Sequence, residues 1–177
     1  MGDERLRLFC ALELPGDARA ALAAWQSEHL RDGRLVRRED LHVTLAFLGS
    51  RPAEEVPVIA GAMREASAEG RPATLRPHRY RETRSVGMLV CDDADGAATA
   101  LAGDLQDRLE ELGVYRREAR AWLPHVTVLR FKQRAGLSPD APNTCWIHVV
   151  RSALYRSTLG AGGARYDALE TAALGGR

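Results

Sequence analysis

Lysine is almost missing from this chain: of its 25 basic residues only Lys132 is lysine, and the rest are arginine. Guanidinium forks suit phosphate, yet a coding bias towards arginine gives the same tally, so the count alone names no ligand. Excess charge of either sign is missing too. The net charge is +1, and nothing in that total suggests the strongly basic face that a long nucleic-acid footprint requires; a small or terminal substrate fits better. Cysteines are few: Cys10, Cys91 and Cys145 are an odd number without C-x-x-C spacing, which reads as buried, reduced thiols rather than a disulfide framework. Long apolar runs are also lacking. No stretch approaches the ~20 residues of a membrane span, and the first apolar run is too short and wrongly flanked for a signal peptide. A soluble, cytoplasmic protein is expected.

What is present is the composition of an ordinary globular chain, 45% hydrophobic and 28% charged over 177 residues, enough to bury a core. We expect a single bilobal catalytic domain over 1–177, without an independent second domain. Residues 6–14, LRLFCALEL, read as a strand closed by Pro15-Gly16, with Asp17 capping a helix that carries Ala18, Leu22, Trp25 and Leu30 at helical spacing. A strand at 41–48, LHVTLAFL, ends at Gly49. Ser50 and Pro52 then read as the cap and first-turn proline of a helix with Val56, Ile59, Ala60 and Met63 on one face.

The second half repeats this order. Residues 86–91 make a strand, 95–112 a helix with Leu101, Leu105, Leu109 and Leu112, stopped by Gly113, and 124–131, PHVTVLRF, a strand again. Phe9 precedes His42 by 33 positions and Leu89 precedes His125 by 36, so each half is strand, helix, His-x-Thr strand. Residues 72–82 predict a further strand, 145–157 one or two more, and 132–143 a loop. The class is α+β, with two pseudo-symmetric antiparallel-sheet lobes around a central cleft.

Alternate side chains of a strand share a face. His42 and Thr44 therefore point one way and Val43 and Leu45 the other; His125 and Thr127 stand likewise against Val126 and Val128. Facing lobes would line one cleft with two imidazoles and two hydroxyls. Displacement at phosphorus needs that set, because the attacking oxygen loses a proton while the leaving oxygen gains one. Histidine serves either role near neutral pH, and threonine hydroxyls can donate to non-bridging phosphate oxygens. A metal centre is the weaker reading, since only two histidines converge and no acidic residue sits at ligand spacing. His29, His78 and His148 lack a threonine two residues on and stay outside the expected site.

At these residues the chain resembles the two-histidine (2H) phosphoesterases, and among them the RNA 2′,3′-cyclic phosphodiesterases once described as bacterial 2′-5′ RNA ligases. The matching pieces are LRLFCALELP at 6–15, LHVTLAFLG at 41–49, LPHVTVLR at 123–130 and, more weakly, RSALYRSTLGAGGARYDAL at 151–169. The resemblance implies hydrolysis of a terminal 2′,3′-cyclic phosphate on RNA or a nucleotide to a 2′-phosphomonoester, without cofactor or metal, by a monomer. It places the catalytic histidines on His42 and His125, the phosphate-binding hydroxyls on Thr44 and Thr127, and a substrate contact on Arg130. By the same analogy His125 activates water and His42 protonates the leaving oxygen. Where many relatives carry an aromatic residue before the first motif this chain reads VRRED, leaving Arg37, Arg38 and Tyr80 as candidates to contact base or phosphate. Other substrates stay open: a 2′-5′-linked oligonucleotide, another cyclic nucleotide, or reverse ligation. So does an RNA-end-binding protein without catalysis.

Overall fold

The computed structural model describes residues 3–175. Strand β1 (Arg5–Glu13) leads into helix α1 (Gly16–His29), then a two-residue strand β2 (Arg34–Leu35) and strand β3 (His42–Pro52). Helix α2 (Val56–Glu69) connects to β4 (Ala73–Glu82) and β5 (Val86–Asp93). Helix α3 (Ala97–Glu111) precedes β6 (His125–Arg130), β7 (Ile147–Val149), β8 (Arg151–Gly160) and β9 (Gly163–Ala173).

The strands hydrogen-bond in the order β7-β4-β5-β6-β3-β1-β8-β9, all antiparallel, with β2 on β6. This is the expected pair of lobes, four strands on each side of the β6–β3 junction, and that junction is one residue pair, Val43 with Val126. Both valines are fully buried. Helices α2 and α3 pack on each other; α2 lies against β8 and β9, and α3 against β3, β4 and β5. The leucines of α3 supply the core as its spacing predicts, except that Leu112 at the C-cap is 46% exposed.

Three local expectations change. Helix α1 begins at Gly16 with Pro15 as N-cap, and Asp17 sits inside the first turn, where its carboxylate accepts the Ala18 N–H. Gly49 does not end β3. Its φ of +71° accommodates a bulge opposite Leu8–Phe9, and the strand continues through Ser50 to Pro52 in register with β1. Residues 163–173, which lie beyond the last strand expected from the sequence, pair with β8 along their whole length; their burial has no clean alternation, so period-2 patterning does not reveal them.

The motif strands share a finer feature. Leu45 has no partner on β1, which pairs Thr44 and Ala46 with consecutive residues; Val128 has none on β5, which does the same with Thr127 and Leu129. Each is a β-bulge three residues after its histidine. A bulge frees backbone groups that need partners. Gln106 of α3 donates its side-chain amide to the Leu45 carbonyl at 2.8 Å, and Gln26 of α1 donates to the Val128 carbonyl at 2.7 Å. Both glutamines are buried. Replacing Gln106 by Ala strands that carbonyl, and the expected loss is about 1–3 kcal/mol, read in urea unfolding as a lower midpoint at unchanged slope.

Candidate active site

The bulges decide what faces the cleft. Beyond each histidine a plain alternation would put Ala46 and Leu129 on the imidazole side; the extra residue reverses the parity, so those two are buried and Phe47 and Arg130 emerge. The first six residues of β3 and the six of β6 have the same burial order. Phe47 and Arg130 are thus counterparts, each five residues after its motif histidine. Alternation read from sequence misses Phe47, which is 48% exposed in the cleft wall.

The antiparallel register through Val43 and Val126 sets His42 opposite Thr127 and Thr44 opposite His125. A cleft of about 290 Å³ is lined by His42, Thr44, Thr127, Arg130 and Phe47, with Tyr166 among the other walls. His125 stands beside them on the Thr127 face of β6. The structure thus puts four of the five expected site residues in the cleft wall and His125 on the strand beside it. The two histidines are held alike: His42 Nδ1 donates to the Asp40 carbonyl at 2.7 Å, and His125 Nδ1 to the Leu123 carbonyl at 2.8 Å. A carbonyl can only accept, so Nδ1 carries the proton in each neutral ring and Nε2 is left bare. The Thr44 hydroxyl is 3.0 Å from His42 Nε2 and can donate to it.

Rings enclose His42. Phe9 lies 5.0 Å away and tilted, and Tyr166 stands edge-on at 5.4 Å. Burial, joined by the positive Arg130 guanidinium and by His125 and opposed by the Asp40 hydrogen bond, pushes the His42 imidazole down to about 4. Arg130 itself forms no ion pair among the described residues, so its charge is spent on the cleft.

The remaining candidates separate. Tyr80 cannot stack on a substrate: it is buried against Trp25, its hydroxyl donates to Glu82, and its ring fills the space a side chain at Gly87 would need. Arg38 is exposed and reaches back to the Gly16 carbonyl, away from the cleft. Arg37 is committed to Asp40 at 2.7 Å and lines a small recess with Tyr166 beside the site. The aromatic surface that VRRED does not provide comes instead from Phe9, Phe47 and Tyr166. His29 stacks on Trp25, His78 meets Asp92, and His148 contacts Thr74, all outside the cleft. No three His, Cys, Asp or Glu side chains group to hold a metal ion among the described residues, and no helix among them is long and apolar enough to cross a membrane.

Paired His-x-Thr strands meeting at the centre of an antiparallel sheet define a two-histidine phosphoesterase. The family model described as "LigT like Phosphoesterase" matches residues 12–80. An RNA 2′,3′-cyclic phosphodiesterase of Escherichia coli K12 is 31% identical over 97% of this chain and 98% of the relative. One of Thermus thermophilus is 34% identical over 97% and 91%. The crystal structure of E. coli LigT complexed with 3′-AMP superposes with a TM-score of 0.83 at 27% identity, covering 97% of this chain and 99% of that one. The chain belongs to the LigT-like phosphoesterase family of the 2H superfamily.

The depressed His42 imidazole makes a stability prediction. Between about pH 6.5 and pH 4 the unfolded chain binds a proton at His42 that the folded chain refuses, so this residue's contribution falls as the pH drops through that window. In urea unfolding at pH 7 and pH 4.5, His42→Gln should lose less stability on acidification than the wild type; an equal loss would contradict the assignment.

Proposed function

We propose that this chain hydrolyses a terminal 2′,3′-cyclic phosphate on RNA to a 2′-phosphomonoester, using His42 and His125 as its acid–base pair. The observation that carries this is the cross-strand set of two imidazoles, each with Nε2 bare, and two hydroxyls on one face of β3 and β6. Water attacks phosphorus and gives its proton to one Nε2; the P–O3′ bond breaks and the leaving oxygen takes a proton from Nε2 of the other ring, which enters the step as the imidazolium. Thr44, Thr127 and Arg130 hold the non-bridging oxygens and offset the charge that develops on them. Phe47 offers the base a flat apolar face, backed by Arg7 at 4.7 Å from its ring. We read the whole chain, 1–177, as one catalytic unit acting as a monomer in the cytoplasm.

The two proton roles can be assigned either way round. Family resemblance gives the water to His125 and the leaving oxygen to His42. The surroundings of His42 favour the reverse, because at neutral pH its ring has no Nε2 proton to give and a lone pair ready to accept one. A bound phosphodiester anion acts against that by stabilising the imidazolium.

Purified protein should hydrolyse a 2′,3′-cyclic nucleotide in the presence of EDTA, with His42→Ala and His125→Ala each slower by about 10²–10⁴. Full turnover in either variant would sink the acid–base reading. The pH profile of kcat/KM reports free-enzyme protonation: an acid limb near 4 makes His42 the base, and a rate that falls steadily above that pH makes it the acid.

A further inference from the structure

Next to the cleft lies a larger groove of about 780 Å³ that shares Arg34 and Arg130 with it. Lys132 and Arg134 add two more cations, and Asp32 is the one acidic residue on its walls. Arg130 and Lys132 form no ion pair among the described residues, and the Arg134 side chain is 66% exposed. Two cations without ion-pair partners, and an exposed third held by Glu82 at 3.2 Å, suit further phosphates of the same strand.

One wall of this groove begins the segment 131–137, which has no helix or strand. A segment of that kind samples many shapes unless something ties it down. Phe131 is fixed by its burial and by its N–H to the Ser85 carbonyl; Glu82, the last residue of β4, ties the rest. Its side chain is 1% exposed, and its carboxylate accepts the N–H groups of Gly136 at 2.8 Å and Leu137 at 2.9 Å, Arg134 Nε at 3.2 Å and the Tyr80 hydroxyl at 3.0 Å. Burial opposes its ionisation, but these four hydrogen bonds outweigh burial and hold the carboxyl below its usual range. Glu82 does not line the cleft, so loss of its carboxylate charge acts first on the bonds to 134–137.

We propose that Glu82 is the positioning residue of an RNA-strand groove: by latching 131–137 it keeps Lys132 and Arg134 in line with Arg130 and Arg34, where they bind backbone phosphates leading to the reactive end. This rests on the reading that the substrate is an RNA terminus. A cyclic mononucleotide has no further phosphate and does not feel the groove.

The test uses the full chain as wild type, Glu82→Gln, Tyr80→Phe and Lys132→Ala. The first readout is the ratio of kcat/KM for a cyclic-phosphate-ended oligoribonucleotide to kcat/KM for a 2′,3′-cyclic mononucleotide. The second is fluorescence anisotropy of a labelled single-stranded RNA at several salt concentrations. Glu82→Gln should lower the ratio about tenfold and speed hydrogen exchange at the Gly136 and Leu137 amides. Tyr80→Phe, which removes one of the four bonds, should move both readouts less in the same direction and serves if Glu82→Gln fails to fold. Lys132→Ala should lower RNA affinity and make the salt slope shallower by about one. Faster amide exchange with a ratio within about twofold of wild type would overturn the proposal. If wild type turns over neither substrate, the cyclic phosphodiesterase reading fails by itself. Anisotropy then decides the groove: weaker binding by Glu82→Gln and Lys132→Ala upholds it, and binding as tight as wild type overturns it.

Discussion

One backbone pairing, Val43 opposite Val126, joins the halves of the sheet, and the active site exists because of where it falls. Each valine is the residue between the histidine and threonine of its motif. Both side chains are buried, worth roughly 1.5–3 kcal/mol apiece in removal from water, so the register that buries them also sets both His–Thr pairs on the open face. A slip of one residue would turn the valines outward and the imidazoles into the core. Packing and catalysis therefore specify the same register. Neither half holds a complete site: each histidine neighbours the other strand's threonine.

The bulges after each motif turn this near-symmetric frame into an asymmetric tool. They occur at equivalent positions and are satisfied by equivalent glutamines, each from a helix of the other half, Gln26 for β6 and Gln106 for β3. What they deliver differs: a cation from β6 in Arg130 and an aromatic face from β3 in Phe47. A nucleotide has the same asymmetry, an anionic end and a flat base. Two imidazoles related by a near-twofold axis would present phosphate with equivalent surroundings; Arg130 and Phe47, with the rings packed around His42, make them inequivalent, as acid and base must be.

The sequence made the architecture and the two histidines legible because both depend on short periods. The His-x-Thr alternation spans three residues, and the helix faces of Leu22–Trp25 and Leu101–Leu105–Leu109 span little more than two turns at most. Whatever depends on a break in period is invisible at that level. Gly49 looks like a strand end and is a bulge; Phe47 looks like a core residue and faces the cleft. Arg130 is reached by resemblance, while alternation alone would send it inward. Tyr80, a candidate to contact base or phosphate, fails for another reason: the partner that lets it be buried, Glu82, is itself bonded to residues more than fifty positions on, a pairing no local pattern contains.

Charge shows the same limit. The whole-chain total of +1 gave no sign of an anionic substrate, because a sum cannot tell a committed arginine from a free one. Arg51 is held by Glu55, Arg108 by Asp104, Glu65 and Glu69, and Arg117 by Asp107, so these carry little field beyond their partners. Arg130 has no such partner among the described residues and lines the cleft, where its positive charge is felt at His42. In the proposed mechanism that one charge acts in opposite senses: it disfavours a proton on His42, and it draws in the anion whose arrival stabilises one. In the proposed mechanism substrate binding and the protonation state of the site are coupled through a single guanidinium, and β6 presents it there because Val128 is the extra residue in the strand.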